Sequence, residues 1–280
     1  MNLYTIDTGF FKLDGGAMFG VVPKSLWNKV NPADENNLCN WAMRCLLIED
    51  GNRLILIDSG LGNKQSEKFF SYYYPNGEDT LIGSLKKHGF APEDITDHVL
   101  THLHFDHCGG SINLNKDRTG YELAFPNANY YVNKQHYDFS LNPNAREKAS
   151  FLKENIVPMQ ESGHLKLVEN EGEIFPSFSV KFVFGHTDAM MIPHISYKDK
   201  TIIYMADLMP AHFYTSIAWI MAYDTRPLIS MDEKTKFLPD AAEKGHILFF
   251  EHDPVVECCT LEKTEKGVKV KETFKLREIA

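Results

Sequence analysis

Cysteine is scarce, with five in 280 residues (Cys39, Cys45, Cys108, Cys258 and Cys259). The number is odd, the positions are scattered and no C-x-x-C pair occurs, so a disulfide framework is excluded and free thiols in a reducing compartment are expected. Cys258 and Cys259 are adjacent, which argues against a bridge between them. Long apolar runs are missing too: no stretch approaches the roughly 18 residues of a membrane span. Met1 to Phe11 has no basic segment followed by an apolar core, so a signal peptide is not expected, and the reading is a soluble cytoplasmic protein without membrane partners. A basic surplus is absent, since 29 Lys+Arg stand against 38 Asp+Glu for a net charge of −9. That disfavours non-specific nucleic-acid binding. No repeat or low-complexity linker divides the chain, and no charge block is long enough for a disordered tail. What is present is 43% apolar residues, enough for a sizeable core, and residues 1–280 are expected to form a single domain.

Short apolar segments alternate with helical ones. Cys45 to Ile48 and Leu54 to Ile57 flank Asp50-Gly51-Asn52 and read as a hairpin. Thr80 to His88 has helical spacing with Gly89 placed to stop it, and Pro92-Glu93-Asp94 opens a short turn. Strands are expected at His98 to Thr101, Tyr130 to Val132, Val180 to Phe184, Thr201 to Met205 and Ile247 to Phe250. Helices are expected around Ala145 to Asn155 and Met231 to Lys244, and Glu257 to Leu276 reads as a hairpin turning near Glu265-Lys266-Gly267. Strands interleaved with helices point to an α/β architecture.

One segment carries the chemistry: Thr101-His102-Leu103-His104-Phe105-Asp106-His107. Imidazole nitrogen and carboxylate oxygen are ligands of zinc and related divalent ions. Alternation puts His102 and His104 on one side of an extended stretch, and Asp106 and His107 follow a turn. Gly109-Gly110 then allow close backbone approach. Other expected strand ends add Gly185-His186-Thr187-Asp188, Ala206-Asp207 and Glu251-His252-Asp253. Carboxyl ends of strands are where open α/β sheets place their sites. Any one of the chain's 12 histidines is more often a surface or hydrogen-bonded residue than a ligand. Three imidazoles and a carboxylate at this spacing have no common structural role, and unpaired they would be costly to bury. The inventory of His102, His104, Asp106, His107, His186, Asp207 and His252 exceeds one tetrahedral ion and suits two ions sharing a carboxylate.

The segment resembles the signature motif of the metallo-β-lactamase superfamily, and the other elements occur in order. Leu56-Ile57-Asp58-Ser59-Gly60 is similar to the family's early Asp-containing strand end, and Gly185-His186-Thr187 to its third ligand segment. The resemblance spans almost the whole chain. It implies a four-layer αβ/βα sandwich and two divalent ions, with Zn2+ the leading choice and Mn, Fe or Co able to fill the same geometry. It also implies the ligand assignment. His102, His104 and His186 hold the first metal, Asp106, His107 and His252 the second, and Asp207 bridges, with Asp58 accepting hydrogen bonds behind the histidine loop. A water shared by the ions would yield hydroxide at neutral pH to attack a carbonyl, with Asp106 returning a proton to the leaving oxygen. Cys108 is expected to pack beneath the loop rather than to react.

The segments Leu13 to Lys24 and Trp219 to Asp224 also resemble those of quorum-quenching N-acyl homoserine lactone hydrolases. The expected activity is therefore lactone opening, on a small ester or lactone. Organophosphate triester hydrolysis and glyoxalase II-like thioester hydrolysis are the alternatives. A flavo-diiron redox role fits less well, because His107 is present and no flavodoxin-like domain follows. The Gly15-Gly16 segment reads as a hairpin whose Met18 and Phe19, with Trp27, would form an apolar wall for an acyl chain. Related lactonases carry a tyrosine shortly after the bridging Asp, whereas this chain reads Asp207-Leu208-Met209-Pro210-Ala211-His212-Phe213-Tyr214. His212, or else Tyr214, is expected to take over as the carbonyl donor. Phe69, Phe70, Tyr72, Tyr73 and Tyr74 form an aromatic patch that either faces the core or makes a homodimer contact.

Overall fold

In a computed structural model, residues 1–279 are described. They fall into two compact units, one built from Met1–Gly9 and Met43–Asn170, the other from Phe10–Ala42 and Glu171–Ile279.

The first unit is organised by a six-stranded mixed sheet. Its strands are β1 (Asn2–Asp14), β2 (Leu38–Asp50), β3 (Arg53–Ile57) and β4 (Asp97–Val99), a small separate hairpin of β5 (Ile112–Leu114) and β6 (Tyr121–Leu123) intervening before β7 (Asn129–Asn133) and β8 (Leu165–Val168). The unit boundary falls within β1 and β2. The β2–β3 hairpin pairs Asp50 with Arg53 across Gly51-Asn52, and Gly51 takes the φ of 61° that a tight turn requires. From Ala42 to Ile48 every residue of β2 is buried, the mark of an interior strand covered on both faces. Strands β3, β4, β7 and β8 run parallel. Leu47, Leu56, Leu100, Tyr130, Val132 and Ile156 lie in the core. The helix Leu81–Lys87 is capped by the Thr80 hydroxyl.

The second unit carries a seven-stranded sheet in the order β15-β14-β13-β12-β11-β10-β9. Its strands are β9 (Gly172–Phe175), β10 (Phe178–Val183), β11 (Met190–Tyr197), β12 (Lys200–Tyr204), β13 (Ile247–Phe249), β14 (Cys258–Thr264) and β15 (Gly267–Phe274). Among the described strands of this sheet only the β12–β13 pair is parallel. The helix Pro227–Lys244 connects those two, packs on β14 and β15, and ends at Gly245 in the left-handed conformation.

Two expectations fail. The helix expected at Ala145 to Asn155 begins only at Lys153 and runs to Glu161. The Asn144 carboxamide accepts the amides of Arg146 and Glu147 as a cap would, yet residues 145–150 close only as turns. The Gly15-Gly16 segment is a short helix, Gly15–Phe19, not a hairpin: the Asp14 side chain accepts the Ala17 amide and caps it. All five cysteines are unbridged and buried. Among the described residues no helix is long and apolar enough to cross a membrane.

His98 on β4 is wholly buried, with Nδ1 donating to the Leu56 carbonyl and Nε2 2.8 Å from Ser111 Oγ. Burial pushes its pKa down to about 4, against smaller opposing effects of the Leu56 hydrogen bond and the Asp58 charge. The unfolded chain, with an ordinary value of about 6.5, therefore binds the extra proton first. This site is expected to cost about 3 kcal/mol of stability as pH falls from about 6.5 to 4. Urea unfolding of metal-free protein at pH 7 and pH 4.5 should show a smaller acid loss in His98→Gln than in the parent.

Candidate metal centre

In the first unit the buried strand β4 ends at Val99 and delivers the histidine segment three residues later. Phe105–Cys108 is a single helical turn that carries Asp106 and His107. Asp58, held at φ 56° at the end of β3, organises this turn. Its carboxylate accepts the Thr101 amide at 2.8 Å, the Thr101 hydroxyl at 2.7 Å and His107 Nδ1 at 3.1 Å. The Thr101 hydroxyl, having donated to Asp58, accepts from His102 Nδ1 at 3.0 Å. His102 Nε2 is thereby left as a lone pair, 3.1 Å from His104 Nδ1. His107 Nε2 lies 3.8 Å from the Asp106 carboxylate. His104 turns its other nitrogen, Nε2, toward the buried carboxylate of Glu147 at 3.6 Å.

Backbone contact holds the turn in place. The Ser59 amide donates to the His107 carbonyl at 2.7 Å, the Gly110 amide to Gly60 at 3.0 Å, and buried Lys64 donates to the Gly109 carbonyl. Burial drives the Lys64 pKa down to about 8. Cys108 sits beneath, its thiol against the Leu103 carbonyl, and burial pushes it up to about 12, which makes it a packing thiol. Phe69 and Tyr73 pack on Phe105, while Tyr72 and Tyr74 of the aromatic patch are exposed.

In the second unit three strands each deliver one group just beyond their ends: β10 gives His186, β12 gives Asp207 and β13 gives His252. The Asp207 carboxylate stands between the two histidines, Oδ2 3.0 Å from His186 Nε2 and Oδ1 3.2 Å from His252 Nε2. Each imidazole is tied back through its other nitrogen. His186 Nδ1 meets Asp224 at 2.9 Å, and His252 Nδ1 donates to the Ala42 carbonyl at 2.8 Å. Burial opposes a charge on His186, yet Asp207 and Asp224 outweigh it and push the pKa up to about 10. The two carboxylates beside it favour positive charge at His186 Nε2, so a metal ion and a proton compete for that nitrogen. The donor set fits divalent ions on that ground and on its chemistry, imidazole nitrogens with a shared carboxylate.

The family signature of the metallo-β-lactamase superfamily matches residues 44–252. The chain belongs to that superfamily. It is a metal-dependent hydrolase of the metallo-β-lactamase fold. It is 25% identical to an N-acyl homoserine lactonase of Bacillus cereus over 247 residues, covering 84% of this chain and 87% of that one. It is 27% identical to the N-acyl homoserine lactonase AiiA of Bacillus thuringiensis subsp. kurstaki over 198 residues, 66% of each chain. Among solved structures, a probable metal-dependent hydrolase from Staphylococcus aureus superposes with a TM-score of 0.88 at 29% identity, over 98% of this chain and 96% of that one. AidC, a dizinc quorum-quenching lactonase in complex with a product, superposes at 0.77 and 24% identity over 98% and 95%, a likeness of fold.

Of the other residues singled out in the sequence, Met18, Phe19 and Trp27 are buried. Phe19 is sandwiched between Trp27 and Tyr214, with ring centroids 4.9 and 5.6 Å away and rings nearly parallel. The Tyr214 hydroxyl is 2.8 Å from the Met18 carbonyl and donates to it. His212 is 31% exposed at its side chain. Sequence reasoning missed Glu147, Asp224 and the Ala42 carbonyl as partners of histidines. Asp224 did lie in the quoted Trp219 to Asp224 segment, but nothing in sequence links it to His186. Asp224→Ala is expected to weaken metal affinity about 10–100-fold, as loss of a ligand's hydrogen-bond partner does. Competition against a chromogenic chelator would measure it, and parent-like affinity would refute it.

Proposed function

We propose that this protein opens the lactone ring of N-acyl homoserine lactones with two divalent ions, zinc foremost, in a reducing cytoplasm. His102, His104 and His186 hold one ion, Asp106, His107 and His252 the other, and Asp207 both, with residues 1–280 acting as one domain. The observation that carries the reading is Asp207, which offers one oxygen to each of two histidines whose other nitrogens are already engaged. Bound there, the ions would supply Lewis acidity and lower the pKa of a water. The chain's own residues do the rest. Asp106 returns a proton to the oxygen released from the ring. His212 faces the carbonyl, because the Tyr214 hydroxyl is already spent on Met18. Met18, Phe19 and Trp27 serve substrate binding as a packed layer stacked with Tyr214 and adjoining Phe213. The activity of the relatives, N-acyl homoserine lactonases, favours this substrate over a phosphotriester or thioester.

The test is hydrolysis by zinc-reconstituted protein of an N-acyl homoserine lactone, a phosphotriester and a thioester in parallel, with a chelator control. The lactone is expected to be opened far faster and the chelator to stop it. His212→Ala should lower turnover with both metals retained. A faster phosphotriester or thioester would overturn the substrate, and loss of metal in His212→Ala would overturn the role of that residue.

A further inference from the structure

His212 does not stand alone. Its Nδ1 lies 2.6 Å from Asp253 Oδ2, and its own backbone amide donates to the same oxygen at 2.9 Å. The other carboxylate oxygen of Asp253 accepts the amides of Val255 and Val256 at 3.0 and 2.7 Å. Asp253 is thus held by backbone on both oxygens and is itself buried. A carboxylate that accepts this many hydrogen bonds is an acceptor throughout, so His212 Nδ1 must carry the hydrogen between them. The ring is fixed in one orientation and one tautomer. Its Nε2 makes no hydrogen bond among the described residues, and the side chain is 31% exposed. Both ends of the pair lie beside the same centre in the chain: Asp253 follows His252, and His212 comes five residues after Asp207.

From this geometry we propose that Asp253 is a positioning residue, which locks His212 with Nδ1–H on the carboxylate and Nε2 turned to the substrate. The consequence is specific. A neutral His212 in this tautomer presents a lone pair at Nε2, so it meets a carbonyl oxygen as a donor only as imidazolium, with Asp253 as its counter-charge. The pair, rather than the histidine alone, is then the group that stabilises charge developing on the carbonyl oxygen. Tyr214 has no such freedom, its hydroxyl being engaged within the aromatic layer. This inference rests on the proposed role of His212 in ester hydrolysis.

Asp253→Asn keeps the shape and an oxygen for the Val255 and Val256 amides, gives up the acceptor of the His212 amide, and faces His212 Nδ1 with an amide NH2. The ring must then accept at Nδ1, and its hydrogen moves to Nε2. With whichever of the three substrates the parent hydrolyses, kcat is expected to fall about 10²-fold with KM little changed and both metals retained. In the His212→Ala background the same substitution is expected to cost nothing further. An equal loss in both backgrounds would mean that Asp253 acts through the backbone it holds and not through the His212 ring, and would overturn the proposal. A parent-like kcat in Asp253→Asn would overturn it too. The second readout needs no turnover: in metal-free protein with 15N-labelled histidine, His212 should show a protonated Nδ1 bearing a downfield proton, and that proton should move to Nε2 in Asp253→Asn. An Nε2–H tautomer in the parent would sink the proposal whatever the substrate. If no substrate is hydrolysed but the Nδ1 signature is present, the functional reading fails and the positioning geometry stands.

Discussion

Asp207→Asn is expected to remove most of the bound metal and to lower hydrolysis by more than the ~10²–10³-fold that loss of a single stabilising donor costs. The reason is geometric. Oδ2 is 3.0 Å from His186 Nε2 and Oδ1 is 3.2 Å from His252 Nε2, so an amide must turn its NH2 toward one of two imidazoles already held in place. One end of the side chain becomes a donor where a lone pair is needed, and the negative charge disappears from both sides. Metal content by mass spectrometry should drop below one ion per chain. A measurement free of metal checks the same physics. The His186 pKa stands at about 10 in spite of burial because Asp207 and Asp224 favour its charged form. With Asp207 neutralised, burial regains weight and the value must fall. Stability due to this imidazolium is present below its unfolded value near 6.5 and is lost as pH rises through the folded value, so the variant should lose it at a lower pH than the parent. NMR titration of metal-free protein would read the shift directly. An unchanged His186 titration together with full metal content would mean that Asp207 is not the shared ligand.

The candidate ligands were legible because they follow buried strands. β12 and β13 end in short apolar runs, Ile202-Ile203-Tyr204 and Ile247-Leu248-Phe249, and the residue types change abruptly just past each; buried Val99 and Leu100 precede the histidine segment in the same way. A parallel strand buried on both faces has no polar alternation, so a polar residue just past its end is conspicuous. The orienting partners were not legible. His252 is held by the carbonyl of Ala42, 210 residues away, and a backbone oxygen has no sequence signature. Asp224 lies 38 residues from His186 in a segment that looked unusual without revealing a contact. The helix misplaced at Ala145 to Asn155 shows the same limit locally. Its composition suits a helix and Asn144 accepts the first amides as a cap would, yet the chain closes only as turns before Lys153. The Gly-rich segment before Met18 failed in the opposite sense: paired glycines suggested a hairpin, and the Asp14 cap made a helix.

The glycine pair after the histidines was read as room for close backbone approach, and Gly109→Ala tests that reading at a second large effect. Gly109 has φ −60° and ψ −37°, ordinary helical values, so alanine is conformationally acceptable there and by intrinsic preference would even gain up to about 1 kcal/mol. Space decides the sign. An added Cβ would lie 2.1 Å from the Leu61 carbonyl oxygen, 2.5 Å from its carbon and 3.0 Å from the Gly60 oxygen. All three are backbone atoms that cannot rotate away, unlike the end of a flexible side chain. The facing segments are moreover pinned by the Ser59–His107 and Gly110–Gly60 hydrogen bonds and by Lys64 on the Gly109 carbonyl. Relief therefore requires the two segments to part, which pulls His107 from Asp58 and breaks bonds that order the ligands. The expected loss is about 3 kcal/mol or more, of order 6–12 °C in Tm, accompanied by reduced metal content. Gly120→Ala is the control, since its Cβ would meet only the Asn115 side chain, at 3.2 Å. It is expected to cost less than about 1 kcal/mol and to leave metal content unchanged. If Gly109→Ala behaved like that control, the contact between the Asp58 and His107 segments would not constrain the metal ligands, and the tight packing there would be incidental to the site.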